Sequence, residues 1–95
     1  MARLIFFGDE RCPYCKKALD SLRGKDFEHV LVPVDIPREE RAEVRYLGGA
    51  PEARGKSFGE LFGGDLGIPK AVLIVDGKAT VLMSSDEVIE YPSKL

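Results

Sequence analysis

A chain of 95 residues, 44% apolar and 32% charged, has room for one small domain with a modest core and not for two. Its formal net charge of -2 offers no basic excess to hold nucleic acid or an anionic membrane surface. The N-terminal MARLIFFGDE carries only a short apolar run, well under the roughly 7–15 residues of a signal peptide, and no segment nears the ~20 that span a bilayer, so the expectation is a cytoplasmic protein without nucleic-acid or membrane partners.

Arg3–Phe7 is a short apolar run closed by Gly8, too short for a helix, and predicts a buried strand. Pro13 suits the first turn of a helix, where its missing N–H has no intrahelical partner anyway. Over Pro13–Arg23, Cys15, Ala18, Leu19 and Leu22 make one apolar stripe, and Gly24 stops it. His29–Val34 predicts a strand with Pro33 marking an edge or an early end. Pro37 opens a second helix over Arg38–Leu47, charged and mostly solvated, ended by Gly48-Gly49. Residues 48–67 carry seven glycines and predict a loop, with a helical turn at Ser57–Phe62. Ala71–Val75, the hairpin signal Asp76-Gly77 and Ala79–Met83 predict two antiparallel strands. Ser84 or Ser85 caps a last helix, Asp86–Tyr91, stopped by Pro92. The first strand–helix–strand unit implies a parallel pair with a right-handed crossover.

The only two cysteines, Cys12 and Cys15, stand two residues apart at the predicted helix start. A closed zinc site needs four ligands, and one histidine, His29, is all that the chain adds. An inert buried pair is the bland alternative. The place before a helix in a βαβ unit favours redox chemistry. A cysteine there faces unpaired N–H groups and the positive end of the helix dipole, with Arg11 and Lys16 adding positive charge. These favour a thiolate at Cys12, the form that attacks a disulfide. Cys15, one turn further in, would resolve the mixed disulfide.

These residues resemble a glutaredoxin, within the thioredoxin-fold superfamily. Cys12-Pro13-Tyr14-Cys15 is similar to the dithiol active-site tetrapeptide of that family, between a strand and a helix. Ile68-Pro69 stands before an apolar strand, where the family has a cis-proline. Asp76-Gly77 makes the last hairpin, and Ser85-Asp86 resembles the pair the family turns toward glutathione. The resemblance implies an α/β thioredoxin fold, β-α-β-α-β-β-α, with a four-stranded mixed sheet flanked by helices, as a single domain over residues 1–95. It implies glutathione as co-substrate, disulfide-bearing or glutathionylated proteins as partners, a flavoprotein reductase as another electron donor, no metal, and a monomer. Under it, the Ile68 backbone pairs with an extended substrate. N–H groups at Ser85 hold the γ-glutamyl carboxylate and Asp86 its ammonium. Arg11, or Arg45 of the second helix, meets the glycyl carboxylate, and Tyr14 lies exposed beside Cys12 against substrate.

The chain departs from that pattern in three places. Met83-Ser84 replaces a Gly-Gly pair, the Gly48–Gly67 segment is long, and Asp9 and Glu10 precede the first cysteine where a basic residue is usual. The acidic pair opposes ionisation of Cys12 and disfavours anionic glutathione. Thioredoxin itself fits less well: there is no Trp, and Phe6 takes the place of its buried carboxylate. Met83-Ser84 and Asp9-Glu10 favour one alternative, a redoxin served by thioredoxin reductase without glutathione; a second alternative is a non-catalytic redox-sensing or protein-binding module. Ala50–Ser57, APEARGKS, satisfies a relaxed phosphate-loop pattern, but a charged segment of helical period precedes it instead of a buried strand.

Overall fold

A computed structural model describes the backbone of residues 2–93 and side chains as far as Glu90. The N-terminal apolar run forms β1 (Ala2–Gly8), followed by α1 (Pro13–Ser21) and β2 (Glu28–Leu31). Next come α2 (Arg38–Arg41) and α3 (Phe58–Phe62), then β3 (Lys70–Val75), β4 (Lys78–Leu82) and α4 (Ser85–Ser93). The sheet order is β2-β1-β3-β4. β1 runs parallel to β2 and antiparallel to β3, and β3 runs antiparallel to β4. This is a four-stranded mixed sheet with helices, the architecture of the thioredoxin fold.

The two inner strands are apolar on both faces because both faces are covered. Ile5 and Phe7 of β1, with Val72 and Ile74 of β3, pack under Tyr46, Ala50, Ala53, Phe58 and Phe62. Leu4 and Phe6, with Ala71 and Leu73, pack under Cys15 and Ala18 of α1, its C-cap Leu22 and Val88 of α4. The alternation along each strand sorts one sequence run into two cores. The hairpin at Asp76-Gly77 has φ of 50° and 82°, the double positive value that matches the twist of the paired strands.

Two expectations are corrected. The second helix stops at Arg41, short of Leu47. Beyond it the chain turns back on itself: Phe58 N–H donates to Val44 O at 2.7 Å, Tyr46 N–H to Lys56 O at 3.0 Å and Gly55 N–H to Tyr46 O at 2.8 Å. The cause is Tyr46, which is 2% exposed in the core. Its hydroxyl donates to Glu28 at 2.8 Å and accepts the Ala50 N–H at 2.9 Å. A continuing solvated helix would forgo that burial. Residues 42–59, which include the first part of the glycine-rich stretch, therefore form a strap that folds back on itself and packs through Tyr46, Ala50, Ala53 and Phe58. Its Ser57 caps α3 in a reciprocal capping box with Glu60, which accounts for the serine of APEARGKS. At the other end of the chain, Pro92 does not stop the last helix, which runs to Ser93.

Candidate active site

The sheet register gathers the chemistry at one end. Phe7 pairs with Lys70, so the turn after Gly8, which carries the cysteines, lies beside the Ile68–Pro69 step that precedes Lys70. That peptide bond is cis. Ala71 pairs with Leu82, which brings Met83 and the start of α4 to the same end. The Val32 N–H donates to Gly8 O at 3.1 Å, so the segment after β2 arrives there too.

Cys12 is the N-cap residue of α1, in extended conformation and with no side-chain cap bond, and Pro13 occupies the first helical position. Its N–H donates to Asp9 O and its carbonyl accepts from Lys16 N–H, both at 2.9 Å. The side chain is half-buried, while Cys15 one turn on is fully buried. The Cys15 sulfur rests on Gly8: a Cβ there would stand 2.8 Å from it. Burial, first of all, pushes the Cys15 thiol up to about 12, and a charged Cys12 beside it acts in the same direction. The two thiols are thus unequal. One is half-open at a helix start, and the other is enclosed and kept protonated.

Arg11 precedes Cys12 but turns away into carboxylates. Its guanidinium meets Asp9 through Nε at 2.9 Å and Nη2 at 2.6 Å, and Asp35 at 3.2 Å. Asp9 is buried and also accepts the Arg11 N–H at 3.0 Å and the Val34 N–H at 3.1 Å. The Arg11 side chain, above all, holds the Asp9 carboxyl well below the ordinary range, and Asp35 is lowered by the same partner. Glu10 is exposed beside them. Two carboxylates, Asp9 and Asp35, therefore share one guanidinium next to Cys12, and Glu10 adds a third acidic side chain beside it in the chain.

The other expected residues divide by position. Tyr14 is 66% exposed, and Lys16 is exposed on α1. Ile68 and Cys12 pack against the same core, and Pro69 is buried. Ser84, not Ser85, caps α4: its Oγ accepts the Glu87 N–H at 3.2 Å. Ser85 and Asp86 are the next two residues of that first turn. Arg45 lies outside α2, on an isolated bridge with Ser57, and its guanidinium bonds Gly55 O at 2.7 Å and Glu60 at 3.2 Å. The arginine that reaches the cysteine end from α2 is Arg41, which donates to Val34 O at 3.1 Å and Leu66 O at 3.2 Å. Asp9 was foreseen only as an opposing charge before Cys12, and Asp35, Arg41, Lys70 and Glu87 were not foreseen as site residues. Of these four, Lys70 left a trace in the sequence, as a lone charge between Pro69 and a continuous apolar run.

A protein-family model described as Glutaredoxin matches residues 4–53, just over half of the chain. The chain belongs to the glutaredoxin family. No curated protein and no solved structure gives a significant match. The matched segment takes in most of β1, then α1 and β2, and so both cysteines, and ends before the cis-proline and α4. Membership makes this glutaredoxin a thiol–disulfide oxidoreductase-like protein, and the family in general uses glutathione as co-substrate and disulfide-bearing proteins as partners.

Proposed function

We propose that this glutaredoxin reduces protein disulfides and glutathione mixed disulfides in the cytoplasm through a Cys12–Cys15 dithiol cycle. The observation that carries the reading is the inequality of the two thiols, Cys12 half-open at the start of α1 and Cys15 sealed against Gly8. The Cys12 thiolate attacks one sulfur of the substrate disulfide. A Cys12–substrate disulfide forms, and the other substrate sulfur leaves as a thiolate that takes up a proton. Cys15 then gives its proton to water or to the departing substrate sulfur and attacks Cys12 Sγ. The second substrate thiol is released, and Cys12–Cys15 is left oxidised. Two glutathione molecules return two electrons and two protons and leave as glutathione disulfide.

The glutathione moiety lies between the cis-proline loop and α4. The Ile68 backbone pairs with its extended peptide as an added strand does. First-turn N–H groups at Ser85 and Asp86 receive the α-carboxylate, the Asp86 carboxylate meets the ammonium, and Tyr14 covers the sulfur. Arg11 meets the glycyl carboxylate by exchanging it for the exposed Asp35. Arg41 takes the place of Arg45 as the second-helix candidate, because Arg41 stands at the cysteine end of the sheet. No metal enters the cycle.

The experiment is a pair of variants in a glutathionylated-peptide assay. Cys12→Ser abolishes turnover, and Cys15→Ser keeps monothiol deglutathionylation while losing reduction of a protein disulfide. Activity surviving in Cys12→Ser would overturn the assignment. A second reading rests on Asp9 and Asp35, which occupy Arg11, with the exposed Glu10 next to it in the chain: these acidic groups repel anionic glutathione and favour a protein reductant, thioredoxin reductase. Turnover compared under the two reducing systems separates the readings.

A further inference from the structure

Lys70 is 2% exposed, on the first residue of β3 directly after Pro69. A buried ammonium is costly unless it is paired, and this one has two partners from different parts of the chain. Its Nζ lies 3.1 Å from Asp65 Oδ1 and donates to the Met83 carbonyl at 3.1 Å. Asp65 in turn accepts the Gly67 N–H at 3.2 Å, closing the turn that leads into Ile68–Pro69. The Met83 N–H donates to Glu87 at 2.7 Å. Both polar atoms of the Met83 backbone are thus captured by side chains, one from the sheet and one from α4. This is the place where Met83-Ser84 departs from the Gly-Gly pair of the pattern that the chain resembles.

We propose that Lys70 is the positioning residue of this site. It braces the cis-proline loop against the start of α4 and so sets the gap that receives the glutathione moiety. The inference rests on the glutathione reading above. An apolar side chain of the same length would fill the slot without the desolvation of a charge. What the ammonium adds is direction: one point charge fixes a carboxylate on the Asp65 loop and a carbonyl beside Ser84 at a set separation. Asp65 is 61% exposed, so the brace runs from the core to the rim of the site. Lys70 touches neither sulfur in this role and acts on affinity, not on bond exchange.

The test is steady-state turnover of a glutathionylated peptide by the wild type, Lys70→Met and Asp65→Asn. Each protein is also followed by thermal melting and by the rate of Cys12 alkylation. Lys70→Met raises KM about tenfold and Asp65→Asn about threefold, with kcat within about twofold of wild type and alkylation unchanged. A merely structural role would lower kcat and the amount of active protein, and would not move KM alone. Should Lys70→Met fail to fold, Asp65→Asn decides, since its side chain is largely in solvent. Unchanged KM in a folded variant, beside a saturable wild type, overturns the brace alone. A wild type that shows no saturable turnover with the glutathionylated peptide overturns the glutathione reading and the brace with it.

Discussion

Substituting Gly8 by alanine tests the seat of the second thiol. The new Cβ would stand 2.8 Å from Cys15 Sγ and 3.0 and 3.1 Å from two carbons of the Phe6 ring. Ordinary contact is about 3.5–4.0 Å, so the overlap with sulfur is roughly 0.7 Å or more. Neither neighbour has anywhere to go, because Cys15 and Phe6 are both fully buried. Overpacking of this kind costs about 1–3 kcal/mol. In a domain of this size that lowers Tm by roughly 4–24 °C. The assay is urea unfolding of the reduced protein for Gly8→Ala, Cys15→Ala and the double variant. With the sulfur gone, only the Phe6 contacts remain, so the cost of Gly8→Ala falls by at least about 1 kcal/mol. Energies that add to within ~0.5 kcal/mol would show that the sulfur does not rest on Gly8. The assignment of Cys15 as the enclosed resolving thiol would then lose its basis.

Burial raises the Cys15 thiol from 9.0 to about 12. Between those values the folded chain keeps a proton that the unfolded chain has released, so Cys15 contributes stability below pH 9 that is lost as pH rises toward 12. Reduced wild type should therefore lose stability across that window relative to Cys15→Ala, as read by denaturant titration at each pH; parallel curves would contradict the burial. Tyr46→Phe removes the hydroxyl that bonds Glu28 and accepts the buried Ala50 N–H. Leaving that N–H without a partner costs about 1–3 kcal/mol and speeds amide exchange through the 42–59 strap. A loss under about 0.5 kcal/mol would mean that the hydroxyl does not anchor it.

Most of the element order was legible in the sequence, because the signals that start and stop elements are local. A proline at the first helical turn, Asp-Gly between two β-rich runs and Ser before an acidic first turn each act within four or five residues. The strand β1 and the helix α1 accordingly lie within about two residues of their expected ends. The second helix failed for a non-local reason. Helical period over Arg38–Leu47 competed with the burial of one Tyr against β1 and β3, and a solvated helix had little packing to set against it. Local propensity also failed at Pro92, which lies within α4 instead of ending it.

The sequence alone determined where the reactive sulfurs stand. Two cysteines flanking a proline at a strand-to-helix step can share one helix start whatever the rest of the fold does. Tertiary structure decided what surrounds them. Arg11, beside Cys12 in the chain, turned out to be held by Asp9 and Asp35. Lys70 had no role in the sequence reading, and the assembled sheet sets it between Asp65 and Met83. Spacing along a chain fixes which backbone groups a side chain can reach within a turn. The partner of a charge lying ten or twenty residues away depends on which strands are neighbours and in what register, and that is settled only when the sheet is assembled.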